Sequence, residues 1–230
     1  MVECADVIEE TRNRAQVHRM LAQVLFAPLT GEQVDRLAAV DWLAIGGNDG
    51  SLFAEGCNDV YRSLRRMNTG TRDELASDYT AVFFGAVTHE GRSAMPFASL
   101  FENEEGQVMG LPRGRMHHLL KNERMRTAEG LDVPDDHLSF MLEFLAQQCD
   151  RVVACLEASD VEDACDKLEL QRTFVKQEVL TWFPAFYELA SQMVRTRFYR
   201  GMLKIAYDFL SEEPRACAGS ISSLEVQPDK

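Results

Sequence analysis

A proline, two carboxylates and an imidazole stand together near the middle of the chain, in Val133-Pro134-Asp135-Asp136-His137-Leu138. Proline suits a first helical turn because it lacks an N–H that would be unpaired there, and carboxylates suit the positive end of the helix dipole. The local chemistry of this segment therefore predicts a helix start with Asp135 and Asp136 in its first turn. A cap alone would not select His137, because the dipole disfavours a charged imidazole.

An apolar stripe with helical spacing follows this segment and predicts a helix over residues 135–158. Its members are Leu138, Met141, Leu142, Leu145, Cys149, Val152 and Leu156. Helical periodicity dominates the rest of the chain too, and no segment alternates with period two. It predicts further helices near 5–27, 34–38, 51–67, 71–84, 112–127, 160–190 and 195–211. We therefore expect one all-α domain, a helical bundle over residues 1–211, followed by a flexible tail at 212–230 whose residues are small and polar.

Residues from about 85 to 112 interrupt the helical pattern. Glycines and prolines recur through this stretch and break any long helix. Loops of this length in compact domains are usually functional or disordered, and Phe97 and Phe101 argue against disorder. We expect a structured loop at a seam between two helical halves.

The composition restricts the class of partner. The chain has 230 residues, with 24 basic and 37 acidic side chains and a net charge of −13. This balance argues against nucleic acid or an anionic membrane surface as the main partner. No apolar run approaches a membrane span, so we expect no stable membrane insertion. The acidic start of the chain and six scattered cysteines predict a cytoplasmic protein with reduced thiols.

Several motifs of catalytic chemistry are absent from the sequence. There is no P-loop, no dinucleotide-binding glycine motif, no nucleophile elbow and no histidine or cysteine pattern with metal-ligand spacing. We therefore expect no enzyme activity, no cofactor and no metal. Two alternatives stay open. Arg113 and Arg115, near Gly110 and Gly114, hint at a nucleotide-binding switch. The acidic stretch 157–169 is either a solvated helix face or the docking surface of an adaptor.

Five segments along the chain match short family-like motifs: Leu75–Gly85 (L-x-x-[ED]-Y-x-x-L-F-x-G), Met95–Phe101 (P-[YF]-x-S-[VL]-[YF]), Val133–Leu138 (P-D-H-L with one extra Asp), Trp182–Phe186 (W-x-P-x-F) and Phe198–Arg200 (F-Y). Taken in this order, they resemble the TorD/DmsD/NarJ family of cytoplasmic chaperones for molybdenum-containing redox enzymes. Together they cover roughly residues 10–211. Val82 replaces a commoner leucine of the family, and Gln177-Glu178 stands where many relatives have an acidic residue followed by histidine.

The resemblance implies an all-helical, non-enzymatic protein that binds the twin-arginine signal peptide of a molybdopterin oxidoreductase. Such a chaperone delays export of its partner and assists cofactor insertion. Some members bind guanine nucleotides weakly or form domain-swapped dimers, so a monomer and a swapped dimer are both open here.

The resemblance also suggests roles for particular residues. Asp135 and Asp136 would pair with the peptide's arginines, although the doubled Asp leaves open which one makes contact. His137 would organise the loop by hydrogen bonding or titrate near neutral pH. The adjoining groove would be shaped by Tyr79, Phe83, Pro96, Phe97, Ser99, Phe101 and Leu138.

Overall fold

The computed structural model describes residues 2–85, 91–102, 110–126 and 131–225. Within these ranges the regular structure is helical, and the β-pairing is limited to an isolated bridge between Phe97 and His137. The predicted all-α fold is therefore confirmed. The helices are α1 (Val2–Phe26), α2 (Gly31–Ala38), α3 (Trp42–Gly46), α4 (Leu52–Leu64), α5 (Thr71–Phe83), α6 (Ala98–Glu102), α7 (Leu111–Asn122), α8 (Leu138–Glu157), α9 (Val161–Phe174), α10 (Phe183–Met193) and α11 (Arg197–Glu225).

Helix α8 packs between α1 and α9. Its predicted apolar stripe is buried, since Leu138, Met141 and Leu145 are each 0% exposed. Burial of such a face stabilises a helix more than its intrinsic propensity does. The stripe thus determines how α8 lies in the bundle.

Helices α4 and α11 cross at a pair of glycines. A Cβ atom added to Gly56 would lie 2.7 Å from the carbonyl oxygen of Gly201, and the reverse distance is also 2.7 Å. Only residues without a side chain allow two helix backbones to approach this closely. This contact holds the first half of α11 firmly against α4.

The predicted helix at 160–190 is not continuous. After α9 the chain forms a π-helical turn, Val175–Val179, and helix α10 then begins at Phe183. Pro184 lies in the first turn of α10, where its missing N–H has no effect on hydrogen bonding. The predicted start of α8 at residue 135 is also wrong, because the helix begins at Leu138.

The predicted flexible tail at 212–230 is wrong for residues 212–225, while residues 226–230 lie outside the described part. Helix α11 continues through Pro214 to Glu225. Glu213, Cys217 and Leu224 are buried at helical spacing, and the last two join an apolar cluster with residues of α1, α8 and α9. Tertiary burial at these positions offsets the cost of a proline inside the helix.

The loop predicted at about 85–112 is present in the part that is described. Residues 86–90 and 103–109 lie outside it. Between them the chain turns through residues 91–97 and forms the short helix α6, and α7 begins at Leu111. The loop therefore connects α5 to α7 and contains α6.

Candidate functional site

Two of the family-like segments meet directly. The backbone N–H of Leu138 donates to the carbonyl of Pro96 at 2.8 Å, and Ala98 N–H donates to the carbonyl of Asp136 at 3.2 Å. We call this contact, formed by residues 95–99 and 134–139, the motif junction. It brings most of the predicted site residues together at the start of α8.

Asp136 lies inside the motif junction, with 0% of its surface exposed. Its Oδ2 accepts hydrogen bonds from the backbone N–H of Ser99 at 2.9 Å and from Ser99 Oγ at 2.6 Å. Its Oδ1 is also buried and accepts no hydrogen bond from the described residues. Asp136 therefore ties the loop to α8 from within.

His137 is the N-cap of α8. Its Nδ1 accepts a hydrogen bond from the backbone N–H of Ser139 at 3.1 Å. Burial lowers the pKa of His137 to about 4, and its ring packs edge-on against Phe97 with the ring centres 4.8 Å apart. A neutral imidazole can cap a helix because its lone pair is free to accept. The expectation that His137 titrates near neutral pH is therefore wrong.

Asp135 is the outward-facing carboxylate of the pair. Its side chain is 14% exposed, and its Oδ2 lies 3.0 Å from Nδ1 of His117 on α7. His117 is itself 67% exposed, so the pair lies at the protein surface. Of the two aspartates, only Asp135 is placed where a partner could reach it.

The aromatic side chains predicted to shape the groove belong mainly to the core. Tyr79 and Phe83 are 2% and 3% exposed, and the Tyr79 hydroxyl donates to the carbonyl of Leu25 at 3.2 Å. Pro96 and Leu138 are buried as well, while Phe97 and Phe101 are half-buried. Of the seven residues predicted to shape the groove, only Phe97 and Phe101 are therefore partly accessible.

Asp78 gives the first family-like segment a structural role. Its carboxylate accepts hydrogen bonds from Thr196 N–H at 2.8 Å, Thr196 Oγ1 at 2.6 Å and Arg195 N–H at 3.0 Å. These groups lie at the start of α11, where backbone N–H groups need acceptors. Asp78 therefore fixes the start of α11 against α5.

A second surface with carboxylates beside apolar side chains runs along α1. It consists of two adjoining cavities of about 390 and 470 Å³, which share Asn13, Val17 and Phe53. We call it the α1 groove. Its acidic end has Asp6, Glu9 and Glu10, and its apolar walls include Met20, Leu37, Val40, Trp42, Ile45 and Ile205. Sequence reasoning missed this surface, although the acids and Asn13 recur every three to four residues.

A buried ion cluster also went unrecognised in the sequence. Arg14 donates to Glu213 Oε1 at 2.6 Å and to Gln171 Oε1 at 3.0 Å, and His18 Nε2 lies 3.0 Å from Glu213 Oε1. Burial by itself raises the pKa of Glu213, but the adjacent His18 and Arg14 outweigh it and hold the pKa at about 2. The cluster joins α1, α9 and α11 around one carboxylate.

The ligand atoms of His18, Cys149 and Glu213 lie within 4.8 Å of one another, as a metal site would require. The chemistry of the cluster does not favour a metal, because Arg14 already neutralises the carboxylate. Burial also raises the pKa of the Cys149 thiol to about 12, whereas a metal ligand must be a thiolate. The cluster is therefore a structural tie.

Arg115 and two carboxylates of the acidic stretch, which the alternative functions invoked, have structural partners. Arg115 donates to Glu102 at 2.7 Å and to Glu178 at 2.8 Å, so it links α7 to α6 and the π-helical turn. In the acidic stretch, Asp160 caps α9, and Glu169 accepts from Arg172 at 2.7 Å. These contacts account for Arg115, Asp160 and Glu169 without a nucleotide or a docked peptide. Among the described residues, no helix is both long and apolar enough to cross a membrane.

The chain is similar along most of its length to proteins named chaperone protein TorD. Chaperone protein TorD of Vibrio cholerae is 26% identical over 207 residues, covering 87% of this chain and 90% of the relative. The TorD of Aliivibrio fischeri is 24% identical over 212 residues, covering 90% and 95%. A solved structure described as a candidate redox enzyme maturation protein from Archaeoglobus fulgidus aligns with a TM-score of 0.49 and 18% identity, covering 84% of this chain and 92% of that one.

A family model adds a match over a defined region. The model described as nitrate reductase delta subunit matches residues 51–188. This region includes the first four family-like segments and spans more than half of the chain. The chain therefore belongs to the nitrate reductase delta subunit family, the TorD/NarJ family that its motifs resemble.

Proposed function

We propose that this chain is a cytoplasmic maturation chaperone that binds the twin-arginine signal peptide of a molybdopterin-containing oxidoreductase. In this role it assists cofactor insertion and holds back export until the partner has folded, and it catalyses no reaction itself. Family membership is the observation that carries the proposal. The curated relatives named chaperone protein TorD support it.

At the motif junction, Asp135 is the residue that we propose contacts an arginine of the peptide. A carboxylate that is partly desolvated binds a guanidinium more strongly than a fully hydrated one does. The buried Asp136 and His137 would act indirectly, because their bonds to Ser99 and Ser139 hold Asp135 in place. Phe97 and Phe101 offer half-buried apolar surface nearby.

The α1 groove is a second location for the same peptide. A twin-arginine signal has a basic head followed by an apolar helix-prone segment, and the groove has an acidic end followed by apolar walls. From Asp6 to Met20 the groove spans about 21 Å, which suits roughly four helical turns. Such a fit is the usual helix-in-groove mode of recognition.

Calorimetry with a synthetic twin-arginine peptide and its double-lysine variant tests the function. We expect measurable binding of the first peptide and weaker binding of the second, because lysine cannot make the bidentate contact. No heat of binding with either peptide would reject the proposed function.

Paired variants then locate the peptide. We expect Asp135→Asn to weaken binding roughly tenfold if an arginine contacts the motif junction. The double variant Glu9→Gln/Glu10→Gln should do the same if the arginines lie in the α1 groove. Glu32→Gln, on the surface of α2, removes one carboxylate elsewhere and serves as the control. Wild-type affinity in both variants would exclude both locations while leaving the function standing.

A further inference from the structure

Helix α7 holds two of its side chains against partly buried carboxylates. Arg115 donates to Glu102 at 2.7 Å and to Glu178 at 2.8 Å. His117 Nδ1 lies 3.0 Å from Oδ2 of Asp135. We call Asp135, Glu102 and Glu178 the covered carboxylates, and their side chains are only 14%, 19% and 21% exposed. Arg115 and His117, by contrast, are 41% and 67% exposed, so the acids are partly withdrawn from water while the groups that cover them face outward.

The covered carboxylates lie close to the motif junction. Asp135 is part of the junction. Helix α6 begins there, where Ser99 donates to Asp136 at 2.9 Å, and it ends at Glu102. Ser99 and Glu102 are three residues apart, which is about 5 Å along the helix axis. The acids that share Arg115 therefore border the same surface as Asp135.

Helix α7 lies across these acids. Met116 points into the core and is 1% exposed. Arg115 and His117 flank it in sequence and point to different sides of the helix, because residues one or two positions apart do not share a helix face. One side chain of α7 therefore reaches down to the covered carboxylates on each flank.

The side chains of α7 satisfy these acids incompletely. The guanidinium of Arg115 faces two carboxylates, so one negative charge is left over in this contact. Asp135 accepts a single hydrogen bond from a ring nitrogen of His117. A guanidinium, by contrast, is always charged and makes two parallel hydrogen bonds to a carboxylate. An arginine from a partner is therefore a stronger ligand for Asp135 than His117 is.

Apart from these contacts, helix α7 is weakly held. Its 12 residues bury only the side chains of Pro112, Met116 and Leu120. Gly114 lies inside the helix, where glycine is less favourable than alanine. A Cβ added to Gly114 would meet no atom within 4 Å, so packing does not require glycine there. Segments with few buried apolar contacts open at a lower free-energy cost than the core of a protein does.

An apolar cavity of about 310 Å³ lies beside the covered carboxylates, between α7 and the end of α9. Its apolar walls are Met116 and Leu119 of α7 and Leu170 and Phe174 of α9, and Glu178 also lines it. Outward movement of α7 would widen this cavity. Carboxylates beside an apolar surface are what a peptide with a basic head and an apolar segment requires.

We propose, on the basis of the function proposed above, that α7 is a displaceable cover of the signal-peptide site. In the free chain, Arg115 and His117 occupy the carboxylates that the peptide's arginines bind in the complex. The peptide replaces these internal contacts with its own guanidinium groups, and α7 moves outward.

Such a cover lowers the affinity of the free chain for the peptide. The apparent affinity is reduced by the fraction of molecules in which the site is open. Removing the side chains that hold α7 closed should therefore strengthen peptide binding. If Arg115 and His117 only helped to build the site, their removal would weaken binding instead.

Calorimetric titration of the full chain with the synthetic twin-arginine peptide tests the cover. The double variant Arg115→Gln/His117→Gln should bind the peptide roughly fivefold more tightly than the wild type, since an exposed ion pair typically contributes less than a tenfold change. The matched control is Arg113→Gln/His118→Gln, which removes the same side-chain types from the same helix. Both control residues are exposed and have no carboxylate partner among the described residues. We expect no comparable gain in the control.

Unchanged or weaker binding in Arg115→Gln/His117→Gln, or an equal gain in the control, would overturn the cover while the wild type's binding leaves the proposed function standing. If neither the wild type nor this variant bound the peptide, the proposed function and the cover would both be rejected. Should the double variant lose its helical circular dichroism, His117→Gln alone replaces it, with an expected gain of roughly twofold.

Amide hydrogen exchange measures the movement of α7 directly. In the free chain, Arg115→Gln/His117→Gln should exchange several times faster than the wild type at the amides of α7 and at the wild-type rate in α8. Addition of the peptide to the wild type should also accelerate exchange in α7. Slower exchange of α7 in the complex would overturn the proposal, because the helix would then close on the peptide rather than open.

Discussion

Replacing Glu213 by glutamine should strongly destabilise the protein. The substitution keeps the size of the side chain but removes the charge that Arg14 contacts at 2.6 Å. Arg14 is 5% exposed, so its guanidinium would be left buried without a carboxylate. Breaking a buried ion pair from one side typically costs about 3–5 kcal/mol. We expect a loss of that size in the free energy of unfolding.

The pKa of Glu213 gives an independent magnitude. It is held at about 2, against a value of 4.5 for an unperturbed glutamate. This difference corresponds to about 3 kcal/mol. Because the folded pKa is depressed, the stabilisation is fully present above pH 4.5 and is lost as the pH falls toward 2. The wild type should therefore lose stability in this window, and Glu213→Gln should lack that component.

Urea denaturation followed by circular dichroism measures both effects, at neutral pH and across the acid range. The adjacent Glu212, exposed and paired with Arg215, provides the matched control. Glu212→Gln should change the free energy of unfolding by less than about 0.5 kcal/mol, as is typical of surface pairs. Equal stabilities of the two variants would refute the argument that Glu213 is a buried structural charge.

Three further outcomes follow from the same contacts. Truncation after Ser211 should lower the melting temperature sharply, because it removes part of the buried helix α11; an unchanged melting curve would restore the flexible tail. The wild-type free energy of unfolding should fall by up to about 3 kcal/mol as the pH drops from 6.5 to 4. Burial depresses the pKa of His137 in the folded state, so below pH 6.5 the unfolded chain takes up a proton that the folded chain does not. His137→Asn should lack this component in pH-dependent urea titrations. Asp136→Ala should lower the free energy of unfolding by about 2–3 kcal/mol because it leaves Ser99 unpaired, whereas Asp135→Ala should lower it by less than about 1 kcal/mol. Equal melting temperatures of the two variants would contradict the placement of the two side chains.

The helical architecture was predictable from local patterns. Apolar residues repeat every three to four positions in the stripe of α8, and glycines and prolines mark the loop that follows α5. These signals depend on neighbours along the chain, so they can be read without knowing the fold. The order of the family-like segments then pointed to the family. Boundaries were less accurate, as the start of α8 at Leu138 and the break before α10 demonstrate.

The candidate site was predictable only in part. The sequence brought attention to Asp135, Asp136 and His137, and the structure places all three at one junction. It could not assign their directions, because a turn of the backbone before α8 sends one carboxylate inward to Ser99 and the other outward to His117. Burial also decided the protonation of His137, which no pattern of neighbouring residues reveals.

By itself the sequence determined an all-α protein, the family to which it belongs and the segments that carry its characteristic residues. Only the tertiary structure decided which residues are buried and which are reachable. It made a helix of a segment that contains Pro214, joined Arg14 to Glu213 across the chain, and brought Arg62 beside Arg197. The physical reason is that burial and charge pairing depend on contacts between residues far apart in sequence, whereas helix periodicity depends on residues three and four positions apart.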